Sequence, residues 1–138
     1  MNRTTLLLRI AGVLTLFTFL GHTAGTFMPI PAEQVEVAKT AAVMKATAVP
    51  MPIGRAQNYG NLFLGTNLAV SLYLLIAGIG FFLFAGKGGL EGAARRQLTL
   101  TSVGMAGMAI ISALFFFPLP AACTGVAAVL GFVAARKS

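Results

Sequence analysis

The sequence predicts an all-α integral membrane protein, a four-helix bundle with a short extracytoplasmic surface helix between helices 1 and 2, and three observations lead there. Lys, Arg, Asp and Glu are absent between Arg9 and Glu33, between Arg55 and Lys87 and between Arg96 and Arg136, stretches of 23, 31 and 39 residues. About 20 mainly apolar residues cross a hydrocarbon core of roughly 30 Å, so the first two stretches hold one crossing each and the third holds two. Hydrophobic residues make up 57% of the chain and charged residues 9%, against about 25% charged in soluble domains, so the surplus apolar surface must face lipid. The basic residues stand singly or in pairs at the ends of the apolar runs, where interfacial anchors belong.

The same features exclude several function classes. A net charge of +7 could suit nucleic acid, but a nucleic-acid binder gathers its basic groups on one face; here they mark topology. A single cysteine, Cys123, rules out an internal disulfide and a CxxC redox pair. The chain has no Asp, and Glu33, Glu36 and Glu91 all lie outside the apolar runs. No span therefore carries the carboxylate typical of proton-driven pumps, which disfavours a channel or carrier.

The whole chain, 1–138, reads as one transmembrane domain. The first span covers about 6–28, with Arg3 before it and Arg9 one turn inside, within snorkelling reach of the headgroups. A basic start and the apolar run 10–20 also fit a secretory signal peptide, with Thr23-Ala24-Gly25 as a small-residue cleavage site. The run stays apolar to Met28, long enough to span, so a retained helix is the expectation. Pro29 and Pro31 end it. Asn2-Arg3-Thr4 matches a glycosylation sequon by chance, since it falls on the cytoplasmic side.

Residues 29–61 form the outer loop. Pro31 suits the start of a helix, Glu33 and Glu36 the positive end of its dipole, and Lys39 and Lys45 the other end; a surface helix over about 32–48 follows. Pro50 and Pro52 stop it, and Gly54, Asn58, Gly60 and Asn61 make a turn-rich lead into the second span, about 62–85. The Gly86-Lys87-Gly88-Gly89 loop closes that span, and Glu91, Arg95 and Arg96 form a charged connector. The third and fourth spans, 98–117 and 119–135, flank a turn at Pro118-Leu119-Pro120. Counted from Ala121, the fourth has 15 residues, or roughly 22 Å, so it needs Leu119, a thinned bilayer or a re-entrant path. With four spans, Arg3, Arg9, Lys87, Arg95, Arg96, Arg136 and Lys137 fall on one side and Lys39, Lys45 and Arg55 on the other. The positive-inside rule then places both termini in the cytoplasm, in an inner-membrane location.

Polar groups within the spans are the candidate functional residues. Counted from the outer span ends, His22, Asn67, Ser112 and Thr124 lie roughly 6 to 9 Å deep, and groups at such depth turn inward to find partners. One reading is an interhelical hydrogen-bond layer. The other is the floor of an outward-facing pocket, with Glu33, Glu36, Arg55, Asn58 and Tyr59 near its mouth. Ala11, Thr15, Thr18, His22 and Gly25 share one helix face, and Gly21 and Gly25 form a small-xxx-small contact motif. One histidine cannot make a zinc site, and no metal or cofactor is indicated. Proton transfer or hydrogen bonding by His22 stays open, which makes it the candidate catalytic residue. A Cys123–His22 nucleophilic pair lacks a third group to orient the ring, so Cys123 is read as packing. Gly104, Gly107, Ala109, Ala122, Gly125, Ala128, Gly131 and Ala135 are read as close helix contacts. Arg55 stands among glycines and amides, where its fork suits a phosphate or carboxylate headgroup, or pairs with Glu33 or Glu36.

At Gly21-His22-Thr23-Ala24-Gly25, then Gly54-Arg55 with Tyr59 and Phe63-Leu64-Gly65, the chain up to Ala85 resembles a family of small four-helix bacterial membrane proteins of uncharacterised function, loosely similar to DoxX-like proteins. In that family Gly-His-Thr ends the first span, and an arginine segment leads through aromatic and acidic residues into the second; here Asn58 and Asn61 stand where acid is expected. The resemblance implies a four-helix fold and a membrane location, and no reaction. The expected function is a non-enzymatic accessory or ligand-binding subunit whose outer pocket, lined by His22, Arg55, Asn58, Tyr59, Asn67, Ser112 and Thr124, receives a lipid or quinone-like amphiphile. Expected partners are membrane lipids and a membrane protein or a second copy, with no nucleic acid. The alternative is a membrane enzyme in which His22 transfers a proton and Arg55 and Tyr59 position the substrate.

Overall fold

The structure, a computed structural model, describes residues 2–87 and 90–137, so Gly88 and Gly89 of the expected loop lie outside it. Four long apolar helices, each sufficient in length and composition to cross a membrane, dominate the all-α chain: α1 (Arg3–Phe27), α3 (Tyr59–Ala85), α4 (Gly92–Phe115) and α5 (Pro118–Arg136). A short helix α2 (Val35–Ala46) and a two-stranded ribbon, β1 (Ala48–Val49) with β2 (Gln57–Asn58), stand between α1 and α3. The chain divides into two compact units, one of residues 1–21 and 73–138, the other of residues 22–72.

The first unit draws on all four long helices and is held by close approaches at small residues. A Cβ at Gly12 of α1 would lie 2.6 Å from the Phe82 ring, and one at Gly78 of α3 would lie 2.6 Å from Leu16 Cδ2. On α4, Gly104 receives the Tyr73 hydroxyl; on α5, Gly131 receives Ser102 and Phe81. In lipid there is no hydrophobic drive between helices, so backbone approach at such residues takes over the role that a large apolar core has in water. Leu8, Ala11, Leu74, Phe81, Leu98, Met105 and Ala127 are buried between them. Large side chains such as Phe17, Leu83, Leu100, Leu114 and Val129 are exposed, which is the arrangement lipid requires.

Gly21, Gly25 and Gly107 have nothing within 4 Å of where a Cβ would sit, so the expected contacts at these three positions do not form. Spacing alone recognised the motif, but the buried stripe of α1 runs through Ala11, Gly12, Thr15 and Thr18 and leaves Gly21 and Gly25 on the uncovered face. The hydroxyls of Thr15, Thr18, Ser102 and Thr124 donate to their own helices, to the carbonyls of Ala11, Leu14, Leu98 and Pro120. These four hydroxyls are thereby satisfied without crossing to a neighbour.

Helix α5 corrects the reading of the Pro-Leu-Pro segment. Pro118 and Pro120 belong to its first turn and the turn itself lies at Phe116–Phe117, because proline lacks only an N–H that the first helical turn leaves unpaired anyway. The helix has 19 residues, roughly 28 Å, close to the core thickness. Helix α4 likewise starts early: Glu91 is its N-cap residue, and Arg95 and Arg96 lie in its first turns rather than in a connector.

In the second unit, α2 buries no residue, and its ion pair Lys39–Glu36, 2.7 Å, is exposed at both ends, so it adds little stability. The ribbon pairs Ala48 with Asn58 and Val49 with Gln57, closing residues 50–56 into a loop that turns at Gly54, φ +92°.

Candidate functional site

Of the predicted polar layer, the second unit joins His22 to Asn67. His22 Nε2 lies 3.2 Å from the backbone carbonyl of Asn67. A carbonyl can only accept, so Nε2 carries the hydrogen and donates, and in the neutral ring Nδ1 is left as the acceptor. The next residue of α1 makes a second link: Thr23 Oγ1 donates to Ser71 Oγ at 3.0 Å. Asn67 and Ser71 are four apart on α3 and so share a face, and two consecutive residues of α1 fasten to this one turn. Thr26 closes the end of α1 by donating to the His22 carbonyl at 2.8 Å. His22 and Asn67 are half-buried, and the Asn67 side-chain amide enters no hydrogen bond among the described residues.

Asn58 has a structural task. Its Oδ1 accepts the Asn61 N–H at 2.8 Å, three residues into α3, which makes it the helix N-cap. Asn61 Nδ2 in turn donates to Gln57 Oε1 at 3.2 Å. Asn2 does the same for α1, accepting the Thr4 N–H at 2.7 Å. Tyr59, the first residue of α3, donates its N–H to the Thr47 carbonyl at 3.3 Å and leaves its ring 53% exposed. At Gly60 the stem of Lys45 comes within 3.0 Å of where a Cβ would lie, which docks the end of α2 on the start of α3. Arg55 is exposed in the 50–56 loop, beside Ile53 at 89%. Glu36 pairs with Lys39, not with Arg55.

Ser112 and Thr124 belong to the other unit and are buried there, at 4% and 0% exposure. Thr124 donates to its own helix, 2.7 Å from the Pro120 carbonyl. Cys123 is free and buried. Along their own helices the four residues of the predicted layer stand at unequal distances from the ends: five residues from Phe27 for His22, eight from Tyr59 for Asn67, three from Phe115 for Ser112 and six from Pro118 for Thr124.

Two polar features of the helices escaped the sequence reading. Ser71 carries the i+4 signal from Asn67 that could have revealed it. The Tyr73 hydroxyl, buried against Gly104, has no hydrogen-bond partner among the described residues, and no local spacing announces a pairing between residues of different helices.

No family model, no curated protein and no solved structure matches the chain.

Proposed function

We propose that this multi-pass membrane protein is non-enzymatic and that residues 22–72, on the extracytoplasmic side of the cytoplasmic membrane, hold the polar end of a lipid or quinone-like amphiphile. It works as an accessory subunit beside another membrane protein or a second copy of itself. The single observation that carries this reading is the contact of His22 with the Asn67 carbonyl. That bond fixes the ring and leaves Nδ1 to accept a hydroxyl or N–H from a ligand. The unengaged Asn67 amide offers further donors, and the exposed Arg55 suits an acidic headgroup.

Native mass spectrometry of protein released in a mild detergent tests this. The wild-type chain is expected to carry a small amphiphile, and His22→Ala and Arg55→Gln are each expected to reduce its occupancy while the helices stay folded. A wild-type chain without bound molecule, or undiminished occupancy in both variants, contradicts the proposal.

A further inference from the structure

The first unit contains a groove of about 520 Å³ along α3 and the start of α4. It runs from Tyr73 to Lys87, fourteen residues or roughly 21 Å of helix axis, more than the ~15 Å that one leaflet contributes to the hydrocarbon core. Its walls are apolar, formed by Ile76, Ile79, Leu83 and Phe84. Gly80 lies along it, and a Cβ there would meet nothing nearer than Phe84 at 4.0 Å, so the missing side chain leaves the groove open rather than admitting a neighbouring helix.

Tyr73, Gln97, Thr101 and Lys87 supply the polar groups of the groove, and its one charge stands at the end of α3. Lys87 lies just past the last turn of α3, with its ammonium 6.0 Å from the centre of the Phe84 ring, a cation–π distance that holds the charge at the groove mouth. Gln97 and Thr101 line the groove from α4, four residues apart on one face. Among the described residues Lys87 forms no ion pair, and the groove contains no acid. A mainly apolar groove longer than one leaflet, with an ammonium at the end of α3 and an amide donor from α4, complements a molecule with an acyl chain and an anionic, hydrogen-bonding head.

We infer that this groove binds an anionic phospholipid, with an acyl chain along Ile76, Gly80 and Leu83 and the phosphate at Lys87 and Gln97. Basic pockets between transmembrane helices bind acidic headgroups in this way. The site is separate from residues 22–72 and stands or falls independently of the function proposed for them.

The test is native mass spectrometry of the full chain in detergent, titrated with phosphatidylglycerol or phosphatidylcholine of the same acyl composition. One Lys near the surface is worth about a fivefold preference, so the wild-type chain is expected to retain phosphatidylglycerol over phosphatidylcholine by about that factor. Lys87→Gln is expected to abolish the preference, and Lys45→Gln, in the other unit, to leave it intact. Gly80→Leu, which projects into open space, is expected to lower retention of both lipids while helicity stays at the wild-type level. The inference is overturned if the wild-type chain shows no preference, if the preference survives Lys87→Gln, or if Gly80→Leu retains both lipids as before.

Discussion

Tyr73 and Gly104 make the sharpest case at the scale of single residues. The hydroxyl is buried against a glycine and has no partner among the described residues, and leaving such a group unsatisfied costs about 1 to 3 kcal/mol. Tyr73→Phe is therefore expected to be neutral or stabilising, whereas Gly104→Ala places a methyl where the hydroxyl sits and is expected to destabilise by about 1 to 3 kcal/mol. Tyr73→Phe combined with Gly104→Ala should recover part of that loss. Helicity measured against rising denaturing detergent reads all three, and a marked loss in Tyr73→Phe would show that the hydroxyl has a partner after all. At this scale the sequence was informative about residue type and less so about role. The sequence marks His22 and Asn67 as polar groups within spans, but the acceptor of the His22 bond is a backbone carbonyl, which every residue possesses and no side-chain pattern marks. Asn58, a candidate ligand contact in the sequence, caps α3 in the structure; both roles want a short amide after a turn.

Glycines decide how the elements meet, and not all of them do so. Gly131 of α5 is filled by Ser102 and Phe81, while Gly107 of α4 faces open space. Gly131→Leu is expected to cost at least about 1 to 3 kcal/mol through overpacking, and Gly107→Leu to stay within about 0.5 kcal/mol, as surface substitutions do. Comparable losses at the two positions, read from the same detergent titration, would contradict the α4–α5 packing described here. The existence of each long helix was legible because an apolar run bounded by charges has one outcome in a membrane. Boundaries were less so. Proline at Pro118 signals both a turn and a helical first turn, and only the extended backbone at Phe117 separates them. The two-residue strands of the β1–β2 ribbon are too short to show alternation, so the sequence offers a helix end at 48 and a turn-rich stretch after it.

At the scale of the whole molecule the missing charges remain the governing fact. If each long helix crosses once, seven basic residues fall at one set of span ends and three at the other, and the usual charge bias then favours one orientation. Ile53, in the loop between β1 and β2, is 89% exposed, and Lys137 follows the last turn of α5; four crossings would put the two on opposite sides. Cysteine placed at each in a Cys123→Ala background, followed by a membrane-impermeant maleimide applied to intact cells, reads the orientation directly. With four crossings and both termini in the cytoplasm, Ile53→Cys is labelled in intact cells and Lys137→Cys only after permeabilisation. Labelling of both from outside, or of Lys137→Cys alone, would contradict it.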